Sequence, residues 1–425
     1  MKRYEALEFL NKDFIHTIKD PLWQNVPMTR ALKALVSTRD VQKLARIKQN
    51  GPSYHIYPGA VHTRLNHSIG VYYLGRRILI SLASRTEELP FTTTGMMSFL
   101  VACLLHDIGH FPYAHSLKEL AIREHEEIAG WMIEKEGELK DAIVLTGANP
   151  STVAAIIDKD MLTSDEETLI YRGILSGTLD PDKLDYLSRD GFFAGIPYGK
   201  QDTDYIISTL SFASGEICLS SEAICSVEQV LFSKYMMYKA LYWHKGVRGA
   251  TAMIKKALIL AIEEGVIKYD DLYFLDDNEF NNLCSSRVDK CEALTLVDRV
   301  EHNELLERMA EKDYQDRGVI ETEGKKPTER RELEKKIWSK LVGDYPSLKE
   351  YEVILDIPEP INFESHIKVL YPDGSVKLID DERLIFSSGV SRAFQENLRK
   401  VSLYLPPYIK QKDAEAAFED IVYGR

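Results

Sequence analysis

A nearly apolar stretch of ten residues, Met96 to Leu105, constrains the fold of this 425-residue chain more than any other segment. Its residues are apolar almost all round a helix, and this pattern predicts a buried helix at the centre of a helical domain. The stretch has about half the length of a membrane span. His106 and Asp107 follow it directly, so polar side chains are expected where the central helix ends.

Histidine is scarce in this chain but strongly clustered. The chain has 11 histidines, and three of them, together with a carboxylate, lie within ten positions from His106 to His115. Imidazole nitrogens and carboxylate oxygens suit a hard or borderline divalent metal. An isolated buried histidine more often only satisfies hydrogen bonds, so it is the clustering that favours a metal site. Seven histidines lie between residues 55 and 125: His55, His62, His67, His106, His110, His115 and His125.

The composition narrows the class of protein. The apolar fraction of 44% and the charged fraction of 28% are ordinary for a globular enzyme. The net charge of -13 argues against nonspecific nucleic-acid binding but allows a local basic pocket for a small polyanion. The 5 cysteines form no CxxC pair, and the N-terminal residues lack the apolar core of a signal peptide. We therefore expect a cytoplasmic protein without membrane contacts.

Hydrophobic periodicity predicts a mainly α fold, with a helical domain over residues 1–310 and a smaller α+β lobe over residues 346–425. Between them, residues 311–345 carry dense mixed charge, which predicts a linker or an exposed helix. In the lobe we expect strands over Tyr351–Ile357 and Val401–Leu405, a hairpin turning at Pro372-Asp373-Gly374, and a helix over Ser391–Lys400. Helices of the first domain are expected over residues 41–48, 66–82, 96–107, 124–134, 181–189, 227–243 and 249–264.

Four side chains suffice for a metal centre: His67, His106, Asp107 and a later carboxylate, for which Asp182 is the best candidate. Asp182 opens a segment in which Tyr186 and Asp190 follow at helical spacing, so one helix face carries all three. Two imidazoles and two carboxylates can hold a divalent ion and leave positions open for water and substrate. Mg, Mn, Fe, Ni and Zn all accept such ligands, and the sequence does not choose among them.

An ordered set of motifs from about residue 15 to 260 resembles the HD-domain phosphohydrolases. Within them it is similar to the dNTP triphosphohydrolases related to the SAM-and-HD-domain enzymes and their bacterial relatives. The matching stretches are Arg46-Ile47-Lys48-Gln49, residues 57–71, His106 to His115, His125-Glu126, Asp180 to Asp190 and Tyr242-Trp243-His244-Lys245.

This resemblance implies a helical HD-domain core and a reaction in which a dNTP and water give a deoxynucleoside and tripolyphosphate. It implies one divalent metal, leaves open a further Mg²⁺ on the triphosphate, and implies a homodimer or homotetramer. It implies that the metal is bound by His67, His106, Asp107 and Asp182. It also implies that the catalytic residues around the reacting phosphate are His110, His115, His125 and Glu126. In the substrate, it implies that the phosphates are bound by Arg64, Lys183, Lys234 and Lys245. The sugar is then contacted by Gln49, Asp190, Tyr186 and Tyr242.

The chain departs from the family pattern at several positions. Lys118 stands where a carboxylate is common, and Lys234 replaces an arginine, which keeps the charge but loses the bidentate fork. Asp20-Pro21-Leu22-Trp23-Gln24 replaces the usual Asp-Pro-x-His-Gly, which indicates that this region has diverged. Ser37 and Ala45 replace the aspartate and arginine with which the family binds an activating guanine nucleotide, so we expect no activation there.

Two other classes of function stay open at this point. One is a different HD-type phosphoester hydrolase, such as a nucleotidase, a cyclic-nucleotide phosphodiesterase or a nuclease; the other is a metal-retaining binding module without turnover. Arg64 with Lys183 argues against a monophosphate substrate, and the net charge of -13 argues against a nuclease. The proton-transfer groups His110, His115 and His125 argue against a pure binder.

Overall fold

The computed structural model describes residues 1–117, 122–213, 215–314, 327–359, 361, 367–379 and 388–424. It confirms a mainly α fold with a smaller α+β lobe. The N-terminal part contains helix α1 (Arg3–Asn11), the hairpin of β1 (His16–Asp20) and β2 (Gln24–Met28), and the short helices α2 (Arg30–Val36) and α3 (Arg39–Lys43).

Three helices form the centre of the helical domain: α4 (Arg64–Arg85), α5 (Thr93–Leu105) and α10 (Pro181–Ala194). Every residue of α5 from Gly95 onward is buried, as its all-round apolar pattern predicts. The other helices of this domain are α6 (His125–Glu134), α7 (Glu138–Leu145), α8 (Pro150–Ile157), α9 (Glu166–Leu175), α11 (Thr203–Ser208), α12 (Ile224–Met237), α13 (Lys245–Glu263), α14 (Tyr269–Leu272), α15 (Asp277–Ser285) and α16 (Thr295–Glu301).

The ends of the three central helices lie close together, and local sequence defines each end. Thr63 and Asn66 form a capping box at the start of α4, and Asp180 caps α10 by accepting from the Lys183 N–H. Pro181 occupies the first turn of α10, where its missing N–H costs nothing. These boundaries place the side chains of the first turns of α4 and α10 beside the residues that follow α5.

The first two-thirds of the chain also contains strands that the periodicity did not predict. Besides β1 and β2, the strands β3 (Leu210–Ala213) and β4 (Glu216–Ser220) form a second antiparallel hairpin. Each of these strands has at most five residues and is only partly buried, so its alternation of polar and apolar residues is too short to stand out.

The C-terminal lobe has its own sheet and its own hydrophobic core. Strands β5 (Glu307–Asp313), β6 (Ile354–Asp356) and β9 (Lys400–Leu405) pair antiparallel in the order β5-β9-β6. Helices α17 (Pro327–Leu341) and α19 (Gln411–Phe418) contribute to this core. All three residues of β6 are buried, so the alternation expected over 351–357 is absent because both faces of the strand are covered.

The predicted hairpin of the lobe is present as β7 (Lys368–Leu370) and β8 (Val376–Leu378). It does not join the lobe's own sheet, because β7 pairs in parallel with β4 of the helical domain. Helix α18 (Ser388–Leu398) occupies the segment that was expected to be helical. In the described part of the chain, no helix combines the length and the apolar character that crossing a membrane requires.

The charged segment over 311–345 is not a linker or an exposed helix where the structure describes it. Strand β5 extends into it and pairs with β9, and α17 buries Leu333, Ile337 and Leu341 in the second core. The expectation of a linker or an exposed helix was wrong because three apolar residues lie at helical spacing among the charged ones: Leu333, Ile337 and Leu341. One of the charges, Glu334, is itself buried and accepts from Lys256 of α13 and from the Leu355 N–H.

This buried ion pair gives a prediction about the contact between the lobe and the helical domain. Glu334→Ala leaves Lys256 buried without its carboxylate, which should lower the free energy of unfolding by about 3–5 kcal/mol. Near the C-terminal end of α17, Lys340 pairs with Asp420 in solvent, so Asp420→Ala should cost about 0–1 kcal/mol. Denaturant unfolding of both variants measures the difference, and equal losses would contradict the assigned burial.

Candidate metal centre

Four ligand atoms converge where the ends of α4, α5 and α10 meet. His67 Nε2 lies 2.9 Å from Asp182 Oδ1 and 3.3 Å from His106 Nε2. His106 Nε2 lies 3.4 Å from Asp107 Oδ1 and 3.7 Å from Asp182 Oδ1. Atoms that share an ion at about 2.1 Å are about 3.0–3.4 Å apart, so this set is close to the spacing of a metal site. The donor set, two imidazoles and two carboxylates, fits a divalent ion.

The electrostatics of this cluster favour a cation. Burial alone would lower the pKa of His67, but hydrogen bonds and charges from Asp182 and Asp185 raise it to about 10. Burial likewise opposes ionisation of Asp107, yet Arg64 and His106 hold its pKa well below the usual range. Both carboxylates of the cluster therefore stay ionised in a place that stabilises positive charge.

The N-terminus of α10 adds to this effect at Asp182. Asp182 lies in the first turn of the helix, where unpaired N–H groups and the helix dipole stabilise a negative charge by about 0.3–1 kcal/mol. Hydrogen bonds from His106 and His67 hold the pKa of Asp182 below its usual range although burial opposes this. The carboxylate is therefore ready to bind a cation without losing a proton first.

Behind the ligands, Asp185 and Arg189 orient His67, and sequence reasoning did not select either of them. Asp185 Oδ2 lies 2.8 Å from His67 Nδ1, and Arg189 Nε donates to the same oxygen at 2.8 Å. The side chains of Asp185 and Arg189 are fully buried. Their spacing of four residues on α10 was a usable signal, because oppositely charged residues at that spacing pair on one helix face.

The histidines expected around a reacting phosphate lie next to Asp107, as far as the structure describes them. His110 Nε2 lies 3.1 Å from Asp107 Oδ1, and the His110 and His125 rings stack with centroids 3.8 Å apart. Burial and the Arg64 guanidinium hold the pKa of His110 well below its usual range. His125 Nδ1 lies 3.0 Å from Glu126 Oε2. The side chain of His115, and the whole of Lys118, lie outside the described residues.

A cavity of about 690 Å³ opens from the metal centre, within the range of about 300–1,000 Å³ that is usual for small ligands. The helical domain and the C-terminal lobe both line this cavity, because the segment after β6 contributes Ile357 and Ile361. Arg248 of α13 donates to both oxygens of Asp356 at 2.8 and 2.5 Å, and this pair fastens the segment to the helical domain. The predicted residues that line the cavity are Gln49, Arg64, His67, His106, Asp107, His125, Glu126, Asp182, Lys183, Tyr186, Asp190 and Tyr242.

The group expected to face a sugar is assembled around Asp190. Tyr242 donates to Asp190 Oδ2 at 2.6 Å, and its ring lies 6.5 Å from that of Tyr186, centroid to centroid. His62, whose role the sequence left undecided, lies with Nε2 2.8 Å from Asp190 Oδ1. Gln49 Oε1 is buried and has no hydrogen-bond partner among the described residues. The cavity wall therefore holds a fixed carboxylate and an acceptor ready for an external donor.

Of the four basic side chains expected to bind the phosphates, two are among the residues that line the cavity and two are not. Arg64 Nη1 donates to Asp107 Oδ2 at 2.6 Å, while its buried Nε has no partner among the described residues. Lys183 Nζ donates to Asp180 Oδ2 at 2.6 Å and to the Gly177 carbonyl at 2.8 Å. Lys245 is exposed at the start of α13, and Lys234 lies on α12, none of whose residues lines the cavity. Neither belongs to the cavity wall that the structure describes, so their motif matches do not place them there.

Comparison with known proteins agrees with this architecture. The HD domain model matches residues 64–189, and the HD associated region model matches residues 201–422, just over half of the chain. The uncharacterized protein YwfO of Bacillus subtilis is 31% identical over 242 residues, which cover 56% of this chain and 54% of that protein. The chain thus spans about half the length of this relative.

A relative that aligns over more of the chain is bovine deoxynucleoside triphosphate triphosphohydrolase SAMHD1, 25% identical over 97% of this chain and 78% of that protein. The crystal structure of a hypothetical protein from Aquifex aeolicus shares the fold, with a TM-score of 0.72, 23% identity and coverage of 95% of this chain and 99% of that chain. The chain belongs to the HD-domain phosphohydrolases that carry an HD-associated region.

The ligand geometry predicts the effect of removing one imidazole. His106→Ala takes away a ligand from the centre of the cluster, so the purified protein should lose its divalent metal and its hydrolase activity together. His302→Ala, an exposed histidine of the same domain, is the matched control and should lose neither. Metal content by inductively coupled plasma mass spectrometry measures the first effect. Full metal retention in His106→Ala would contradict the assigned ligand set.

Proposed function

We propose that the protein is a metal-dependent dNTP triphosphohydrolase, which converts a dNTP and water to a deoxynucleoside and tripolyphosphate. One observation carries the proposal: a single cavity is lined by a metal-ligand set and by a buried donor and a buried acceptor that have no partner among the described residues. Arg64 Nε is the donor and suits a phosphate oxygen, and Gln49 Oε1 is the acceptor and suits a sugar hydroxyl. Unsatisfied buried polar groups cost about 1–3 kcal/mol each, so a ligand that pairs both of them is strongly favoured.

The relationship to SAMHD1 supports the same substrate class. That relative is named a deoxynucleoside triphosphate triphosphohydrolase and aligns over 97% of this chain. Arg64 and Lys183 supply two positive charges at the cavity wall, as a triphosphate requires. A monophosphate would leave this charge only partly used.

A divalent ion held by His67, His106, Asp107 and Asp182 would supply a nucleophile near neutral pH by lowering the pKa of water. In the reaction the water oxygen bonds to the α-phosphorus, the bond from phosphorus to O5′ breaks, and O5′ takes up a proton. We assign delivery of this proton to His125, whose ring stacks on that of His110. Glu126 lies 3.0 Å from His125 and can return a proton to that imidazole after each turnover.

The sugar is expected to lie between Tyr186 and Tyr242, with its 3′-hydroxyl between Gln49 and Asp190. His62 and Tyr242 both bind the Asp190 carboxylate, and this fixes the direction of its remaining lone pairs. A ring close to C2′ crowds a ribose hydroxyl and tolerates a deoxyribose. The resemblance to the family also implies a homodimer or homotetramer, which light scattering can compare with the mass of one chain.

The product distinguishes this reaction from other phosphoester hydrolysis. Incubation of the metal-loaded protein with each of the four dNTPs should give deoxynucleoside and tripolyphosphate in equal amounts, measured by ion chromatography. The His106→Ala protein, prepared in parallel, should give neither and controls for contaminating phosphatases. Stepwise release of orthophosphate would contradict the proposal and favour a nucleotidase.

A second prediction concerns the sugar. The wild type should prefer dATP over ATP by roughly 10²-fold in kcat/KM, the discrimination expected from crowding one hydroxyl. Tyr242→Ala removes the ring and should reduce this preference before it abolishes turnover. Tyr242→Phe keeps the ring and loses only the hydroxyl that binds Asp190, so it should retain the preference. Comparable turnover of ATP and dATP by the wild type would disprove this role of the tyrosines.

A third prediction concerns regulation. Ser37 and Ala45 cannot supply the two charge-assisted contacts of the family's activator site, each of which contributes about 1.5–3 kcal/mol. The neighbouring Arg46 is no substitute, because its Nε donates to Asp276 Oδ2 at 2.5 Å. Hydrolysis of dATP should therefore proceed at the same rate with and without GTP or dGTP. Strong, saturable stimulation by either nucleotide would show that an activator site exists.

A further inference from the structure

The geometry points to the N-terminal β1–β2 hairpin as a positioning element of the metal centre: Trp23 holds the carboxylate of Asp185 directly, Asp20 holds it through Arg189, and Asp185 in turn orients the metal ligand His67. The inference rests on the proposed metal centre and does not depend on which phosphate ester is the substrate. Residues 20–24, which differ from the family motif at this place, would then have a role in metal binding.

The Asp185 carboxylate is surrounded by donors from three parts of the chain. Its Oδ2 lies 2.8 Å from His67 Nδ1 and accepts from Arg189 Nε at 2.8 Å. Its Oδ1 accepts from Arg189 Nη2 at 2.9 Å and from Trp23 Nε1 at 2.5 Å. Donors therefore fix the orientation of this carboxylate from both of its oxygens.

Asp20 connects this carboxylate to the backbone of the hairpin. Its Oδ2 accepts from Arg189 Nη1 at 2.8 Å, so Arg189 bridges two buried carboxylates. Its Oδ1 accepts from the N–H groups of Leu22 and Trp23 at 2.9 and 2.8 Å, which fixes the turn that presents the Trp23 ring. Asp20 and Arg189 are both buried, in keeping with the rule that buried charges are paired.

Gly70 provides independent support that the position of Asp185 is tightly constrained. Gly70 lies one turn after His67 on α4, and a Cβ atom there would be 1.9 Å from Asp185 Oδ1 and 2.5 Å from Arg189 Nη2. Only glycine leaves room for the carboxylate at this point. The same face of α4 therefore carries the metal ligand and the space for the group that orients it.

A hydrogen bond from the second nitrogen of a ligating histidine fixes its tautomer and ring direction, and loss of such outer contacts weakens metal binding about 10–100-fold. Because His67 Nδ1 faces Asp185 Oδ2 at 2.8 Å, Nε2 is the nitrogen that faces the metal ligands. Without the Trp23 donor, Oδ1 of Asp185 keeps only its contact with Arg189, so the carboxylate, and with it the His67 ring, is held less firmly. Trp23 thus acts on the metal only through Asp185 and is a positioning residue.

The test compares two tryptophan substitutions in the full-length, metal-free protein titrated with Co²⁺ alone. Trp23→Phe keeps an aromatic ring and removes only the Nε1 donor, and it should weaken Co²⁺ binding about 10–100-fold in competition with a chelator. The visible absorption of the Co²⁺ complex should change with it. Trp338→Phe is the matched control, because Trp338 Nε1 also donates one hydrogen bond, to the Leu348 carbonyl at 2.9 Å in the C-terminal lobe. It should leave both the affinity and the spectrum unchanged.

Thermal unfolding of the metal-free variants separates positioning from general destabilisation, and both substitutions should lower the midpoint by similar amounts. Unchanged Co²⁺ affinity in Trp23→Phe, or an equal loss in Trp338→Phe, would overturn the inference while leaving the metal centre intact. Absence of Co²⁺ binding by the wild type would instead overturn the metal centre itself.

If Trp23→Phe does not fold, Asp20→Asn takes its place in the test. This variant keeps an oxygen that accepts from the turn N–H groups but loses the negative charge that faces Arg189. It too should weaken Co²⁺ binding.

Discussion

A carboxylate that is removed from water is stable only when donors surround it, and Asp185 meets this condition with four hydrogen-bonding contacts. They come from His67 on α4, Arg189 on α10 and Trp23 in the N-terminal hairpin. Because the helices and the hairpin meet at this one group, their relative positions and the direction of the His67 ring depend on each other. Removal of the charged partner Arg189 from this buried network is expected to cost about 3–5 kcal/mol.

The metal centre uses the ends of helices, where backbone groups and side chains are both directed to a common point. The first turns of α4 and α10 and the residues that follow α5 supply the ligands, and the N-terminus of α10 stabilises Asp182. The buried surroundings strengthen each interaction with charge, because water screens it less. The C-terminal lobe then completes the cavity through the segment that Arg248 and Asp356 hold in place.

The sequence could predict what depends on local spacing. The central helix α5, the long helix α4 and the grouping of Asp182, Tyr186 and Asp190 on one face all follow from helical periodicity within a short window. The candidate metal ligands could be chosen because histidine is rare and because imidazole and carboxylate ligands both suit a divalent ion. The hairpin of β7 and β8 followed from its turn residues.

What depends on contacts between distant residues could not be predicted. Trp23 and Asp185 are 162 positions apart, and nothing in the spacing of either residue indicates the other. The parallel pairing of β4 with β7, and the buried pair of Lys256 with Glu334, likewise join segments that the sequence assigns to separate domains. Lys234 and Lys245 were expected at the substrate because their motifs match; neither is among the described residues that line the cavity, and their role stays a prediction.

The central claim is that His67, His106, Asp107 and Asp182 share one divalent ion. Anomalous diffraction from crystals grown with Mn²⁺ tests this most directly, because the anomalous signal locates the ion without reference to any assumed ligand. We expect an anomalous peak at about 2.0–2.3 Å from His67 Nε2, His106 Nε2 and one oxygen each of Asp107 and Asp182. A peak elsewhere on the protein, or none at these four atoms, would contradict it.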